Sequence, residues 1–187
     1  MAEQQIDQLT ATDLLRLQHE QVRSMFEQLA SAPSSGRGEL FDCLRAALAV
    51  HETGEEMVVY PAARRTGSDA EQIVQARLDE ESKAKQMLSD LEKIGPDGDG
   101  FSTKLAEFRA AVLAHAEAEE HQVFPLLDAN LSDDELHKMG DALRTAETMA
   151  PTHPHPHGPE SAIGNALVGP FVAMADKVRD VLKSHSG

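Results

Sequence analysis

The chain has 187 residues, a formal charge of −15 and 41% hydrophobic residues. That length supports one domain with a real core, and the acidity argues against nucleic acid and anionic membranes as partners, since both need a basic surface. No apolar run approaches the roughly 20 residues a membrane span needs, and the polar, acidic opening MAEQQIDQLT does not read as a signal peptide.

Cys43 is the single cysteine, so no intramolecular disulfide forms; a reducing, cytoplasmic compartment is expected, with Cys43 as a small buried residue. Aromatic residues make up 4% of the chain and tryptophan is absent, which removes the usual stacking platforms for bases.

Steps of three and four residues put Leu15, His19, Val22, Phe26 and Leu29 on one face of a first helix, from about residue 10 to 30. His19 therefore lies on the core line. Residues 31–36 read as a loop. The second helix carries the stripe Leu40, Leu44, Leu48, His51, Glu55 and Val58, and is expected to end near Pro61, which cannot continue an α-helix. The third helix begins around Asp69 and ends before Gly95-Pro96, with Val74, Leu78, Glu81, Ala84, Leu88 and Leu91 inward. After a turn over residues 96–100, the fourth runs from about 102 to 129 with Leu105, Phe108, Val112, His115, Glu119 and Val123 on its stripe.

The segments form two related halves. The run from His51 to Pro61 returns from His115 to Pro125, sharing the His, the Glu-Glu pair, a Val, and an aromatic before the Pro. Aligning the run from His19 to Leu29 with that from Glu81 to Leu91 sets Glu81 opposite His19. Each half is then one helix with a single inward polar residue, followed by one with an inward His-x-x-x-Glu pair. Repeated helix pairs on short loops predict an all-α, antiparallel up-down four-helix bundle over residues 1–130. Ser132-Asp-Asp-Glu135 has the form of a capping box, so a short helix is expected within residues 131–150. Residues 151–160, with alternating Pro and His, read as an extended linker. Residues 161–187 have helical periodicity and form a last helix, through which the chain could pack on its own bundle or on a second copy.

The inward polar residues are His19, His51, Glu55, Glu81, His115 and Glu119. A buried carboxylate is costly unless it is paired or coordinates a metal. Three imidazoles and three carboxylates converging from four helices therefore indicate a metal site. Without thiolates, a structural zinc or iron–sulfur centre is disfavoured; iron, manganese and zinc all suit the donor set. Six ligands exceed the needs of one four-coordinate zinc, and Glu55 and Glu119, from opposite halves, could bridge two ions. Open positions would then admit dioxygen, peroxide or nitric oxide.

These residues resemble the hemerythrin-like, HHE cation-binding family. The likeness covers roughly residues 10–129. It rests on His19, on His51-x-x-x-Glu55 with Tyr60-Pro61, and on His115-x-x-x-Glu119 with Phe124-Pro125. It implies a four-helix bundle around two iron ions joined by an oxo or hydroxo bridge, with His19, His51 and His115 as terminal ligands and Glu55 and Glu119 as bridges. The family's third helix usually supplies histidine where this chain has Glu81. The tail beyond residue 130 resembles an extension of actinobacterial members. A third carboxylate makes the donor set harder and more anionic, which favours ferric iron. The expectation is therefore peroxide or nitric oxide handling, of catalase or peroxidase type, rather than reversible oxygen carriage. A non-catalytic oxygen, iron or redox sensor is the alternative. An iron-storage role is disfavoured, because ferritin-type sites use Glu-x-x-His at i,i+3.

Overall fold

A computed structural model describes residues 9–149. The expected linker and last helix lie outside the described residues. Helix α1 spans Ala11–Ser31, and α2 spans Ser34–Gly54 and passes into a π-helical turn, Glu55–Val59. That turn feeds α3, Tyr60–Arg64; α4 follows at Ala70–Ile94. Helix α5, Phe101–Ala118, enters a second π-helical turn, Glu119–Val123, which runs into α6, Phe124–Asn130. Helix α7 is Asp133–Met149. The described residues contain no strand, and the four long segments pack as the antiparallel bundle the repeat implied. No helix among them is long and apolar enough to cross a membrane.

Local chemistry sets most of the boundaries. Thr10 caps α1: its Oγ1 accepts from the Asp13 backbone N–H at 3.2 Å and donates to the Asp13 carboxylate at 2.6 Å. Helix α4 stops where Gly95 adopts φ 74°, a left-handed value that glycine tolerates without strain, and the Gly95 N–H returns to the Leu91 carbonyl at 2.9 Å. At the start of α7 the box is only half formed. The Glu135 carboxylate accepts from both the backbone N–H and the hydroxyl of Ser132, at 2.9 and 2.7 Å.

The structure corrects the sequence reading at two places. The loop expected over residues 31–36 shrinks to Ala32 and Pro33, because Pro33 occupies the N-cap of α2 and Ser34 already begins that helix. The second correction concerns Pro61, which does not end its helix; Pro125 sits in the same setting. Each follows a π-helical turn in which Tyr60 or Phe124 donates its backbone N–H five residues back, to Glu55 or Glu119. The wider turn relieves the clash a proline ring otherwise makes with the preceding turn, so the chain stays helical to Arg64 and Asn130. Val59 is fully buried in place of the expected Val58, which is only partly covered.

The apolar core is divided into two clusters with the polar residues between them. One gathers Val22, Phe26, Leu44, Leu88, Leu91 and Phe108, with Phe26 and Phe108 edge to face at 5.6 Å. The other gathers Leu15, Val59, Tyr60, Val74, Phe124 and Leu127 from the opposite end of the bundle, closed by Leu136, Met139 and Leu143 of α7. Helix α7 lies against α1, α2 and the first π-helical turn. Its approach is close: a Cβ on Gly140 would sit 2.8 Å from the Leu9 carbonyl oxygen. Gly140→Ala is expected to lower stability by about 1–3 kcal/mol through overpacking, read as a fall of several degrees in the thermal midpoint.

Candidate metal centre

Four helical segments deliver the six predicted donors to one place. His19 comes from α1, His51 from α2, Glu55 from the first π-helical turn, Glu81 from α4, His115 from α5 and Glu119 from the second π-helical turn. Ligand atoms of His19, His51, Glu55 and Glu119 lie within 4.8 Å of one another, as do those of Glu55, Glu81 and His115. Glu55 belongs to both groups. All six are buried except His115, which is 11% exposed at its side chain.

The three imidazoles are oriented alike. His19 Nδ1 meets Glu120 Oε1 at 2.8 Å, His51 Nδ1 meets Gln18 Oε1 at 2.8 Å, and His115 Nδ1 meets Glu80 Oε2 at 3.0 Å. Each partner atom is an acceptor, so each Nδ1 carries the proton and each Nε2 lone pair faces inward. His19 and His51 then present Nε2 to Nε2 at 3.2 Å. Nε2 also lies near carboxylate oxygen: 3.1 Å from His51 to Glu55, 3.4 Å from His19 to Glu119, and 3.5 Å from His115 to Glu119. Lone pairs facing lone pairs at these distances require something positive between them. The two carboxylate oxygens of Glu55, one oxygen of Glu119 and His115 Nε2 are buried without a hydrogen-bond partner, which is costly for the protein alone.

Protonation follows the same crowding. Burial, with His19 nearby, drives the His51 imidazole down to about 3, so it stays neutral and able to donate its lone pair. Burial and then the Glu119 charge push Glu55 well above the usual carboxylate range. Burial and Glu52 push Glu81 up to about 9. Glu119 is pushed up by burial too, but the His19 and His115 imidazoles beside it outweigh burial and hold the group at about 2. One carboxylate stays ionised at the expense of its neighbours. A cation removes that competition.

Tyr60, singled out in the sequence only as the aromatic before Pro61, is part of the cluster. Its hydroxyl reaches Glu81 Oε1 at 2.5 Å and Glu119 Oε1 at 2.8 Å, and burial raises its pKa strongly. The pseudo-equivalent Phe124 stacks on His19 with centroids 5.6 Å apart. Glu120 and Glu80, adjacent in sequence to predicted donors, proved to be partners of imidazoles, and Arg23 and Arg77 in turn hold those carboxylates at 3.1 and 2.6 Å. Glu56 instead pairs with Lys85 at 2.6 Å. Lys85 lies 3.3 Å from Glu52 and 3.5 Å from Glu81. The only signal for these partners in the sequence was adjacency.

The donor set, the inward lone pairs and the orphaned buried oxygens fit a metal. Comparison with known proteins agrees: the hemerythrin HHE cation binding domain matches residues 10–127. The chain belongs to the hemerythrin HHE family. An uncharacterized hemerythrin-like protein of Schizosaccharomyces pombe is 29% identical over 137 residues, covering 73% of this chain and 68% of the relative. A DNA nickase of Nostoc is 25% identical over 137 residues, 73% of this chain but only 38% of that protein's length. The crystal structure of a hemerythrin HHE cation binding domain-containing protein from Mycobacterium kansasii superposes with a TM-score of 0.67 at 24% identity, over 74% of this chain and 85% of the other, and shares the fold. In this hemerythrin-like chain the family's cation-binding function falls on a His/Glu cluster able to hold a metal.

Beside the cluster lies a cavity of about 20 Å³. His19, His51, Glu52, Glu81 and His115 border it together with Val22, Leu48, Ala84 and Val112, and its surface is almost wholly apolar. Such a space takes one or two non-hydrogen atoms.

Proposed function

We propose that the cluster holds two iron ions and that the protein handles peroxide or nitric oxide. His19, His51, Glu55 and Glu119 would hold one ion; Glu81 and His115 would hold the other, with Glu55 shared. The observation that carries this reading is Glu81, turned into the cluster as a third carboxylate. Against two divalent cations, three carboxylates leave one net positive charge, and a hard anionic donor set favours the ferric state. Iron supplies redox and Lewis-acid chemistry at open coordination positions.

The protein residues supply selection and proton placement. Val22, Leu48, Ala84 and Val112 keep the cavity dry and limit it to ligands of peroxide or diatomic size. Tyr60 keeps its proton on Oη, hydrogen-bonded toward Glu81 and Glu119. The Lys85 ammonium, its pKa raised against burial by Glu52 and Glu56, offsets the negative charge on the Glu81 side. Phe124 fixes the plane of His19 while Glu120 fixes its tautomer.

Metal analysis and an electronic spectrum of aerobically purified protein, followed by peroxide consumption, test the reading. Two irons per chain and turnover of added peroxide are expected; a stable, fully reversible oxygen adduct without peroxide turnover would sink it. Glu81→Ala is expected to lose iron and alter the spectrum. If the variant keeps full metal content and an unchanged spectrum, Glu81 is not a ligand.

A further inference from the structure

His19 and His115 each give their Nδ1 proton directly to a carboxylate, Glu120 or Glu80. A carboxylate can only accept, so those two tautomers are fixed by their neighbours alone. His51 is different. Its Nδ1 faces the side-chain amide of Gln18. An amide has an accepting end and a donating end of nearly the same shape, so by itself it imposes no direction on the imidazole. Reversed, Gln18 would offer N–H to Nδ1, the His51 proton would move to Nε2, and that Nε2–H would point into the cluster where a lone pair is needed.

What orients Gln18 comes from α7. Gln18 Nε2 donates to Glu147 Oε1 at 2.6 Å, and both side chains are buried, at 2% and 6% exposure. Burial raises the Glu147 carboxyl to about 6 against the opposing effects of Gln18 and Arg144, so at neutral pH it is mostly ionised and offers no proton. An acceptor-only group must face the NH₂ end of the amide. The carbonyl end must then face His51, the Nδ1 proton is held there, and the Nε2 lone pair is turned inward. We infer that Glu147, through Gln18, sets the tautomer of His51 and is a positioning residue for the metal centre. The inference rests on the cluster being a metal centre, not on iron or on peroxide as its ligand.

The buried chain from Glu147 through Gln18 to His51 joins the fifth long helix to the centre across 129 residues of sequence. Helix α7 does more than close the core: it supplies the one group in this chain whose chemistry has a direction. Glu147→Gln keeps the shape and removes the direction, because the new amide can donate or accept.

The test uses the full chain in two states. In chelator-treated protein, long-range ¹H–¹⁵N spectra of the imidazoles are expected to show His51 as the Nδ1–H tautomer alone. In Glu147→Gln, His51 is expected to show both tautomers while His19 and His115 keep theirs. Zn(II) affinity, measured by competition with a chromophoric chelator, is expected to fall about tenfold, the lower end of the usual effect of losing an outer hydrogen-bond partner. The paired variant Gln18→Leu with Glu147→Leu leaves no buried carboxylate or amide unpaired, only the His51 Nδ1 without its partner, and is expected to lose the tautomer preference as well. An Nε2–H tautomer in the unmodified chain, or unchanged His51 spectra and zinc affinity in Glu147→Gln, would overturn the inference. Zinc binding and tautomer are read without iron or peroxide, so failure of the di-iron reading leaves this result standing.

Discussion

Removing the metal should make the protein lose stability as pH rises from about 6.5 to 8, and reloading should reverse the trend. The sign follows from the buried groups. Glu81, raised to about 9, Glu52, raised to about 7, and Glu55, raised well above its ordinary value, each bind a proton more tightly in the folded chain than in the unfolded one. Stability from such groups is fully present below the ordinary carboxylate value of 4.5 and is lost as pH climbs through the folded values. His51, lowered to about 3, and Glu119, lowered to about 2, act in the opposite sense: their contribution is complete above 6.5 and 4.5 and is lost on acidification. Above about 6.5, then, only the raised carboxylates still titrate, and their combined effect is on the order of a few kcal/mol. A cation bound by Glu55 and Glu81 deprotonates them and inverts the dependence, because binding releases protons. At a thousandfold excess over the dissociation constant it adds about 4 kcal/mol. Thermal unfolding of stripped and reloaded protein at the two pH values reads both effects; equal midpoints with and without metal, or a stripped protein that strengthens toward alkaline pH, would refute the account.

Replacing Glu55 should separate stability from binding. Both of its oxygens are buried without a partner, and it is the one donor common to both ligand groups. Glu55→Leu removes a desolvated carboxylate and places an apolar side chain in a helical turn. A buried polar group without a hydrogen-bond partner costs about 1–3 kcal/mol, and the substitution lifts that cost. The stripped variant is therefore expected to melt no lower than the stripped parent, and to lose its fall in stability toward alkaline pH in part. Its metal content should collapse from two ions toward none, since each group loses a donor. His115→Ala touches only one group and should retain more metal than Glu55→Leu. Metal content after dialysis, paired with the melting curve, decides this. A Glu55→Leu protein that still holds two ions would show that Glu55 is not shared between them.

Much of the site was legible before any coordinates. The period-3.6 stripes, interrupted by a His or a Glu where leucine belongs, singled out six polar residues that the structure gathers into groups able to hold a metal, and the internal repeat put Glu81 in the place opposite His19. Pro61 was read wrongly as a helix end, because a sequence pattern carries no sign of a π-helical turn that accommodates the ring. Val58 was expected where Val59 lies, since residues three and four after Glu55 share a helix face and the pattern does not choose between them, and the turn brings Tyr60 to the carboxylates of Glu81 and Glu119. Nothing in the helical pattern marked Glu80 and Glu120, yet each receives a histidine proton from another helix.

The sequence by itself determined which side chains are forced inward, because burial on a helix is a local, periodic property that neighbours along the chain suffice to fix. It thereby determined the helical class, the pairing of the halves and the demand for a positive charge among three carboxylates. The tertiary structure alone decided which imidazole nitrogen carries the proton, that Tyr60 bridges two carboxylates, and that a residue of α7 reaches His51 through Gln18. Those are hydrogen bonds between groups far apart in the chain, and their direction depends on where the packed helices bring a donor against an acceptor.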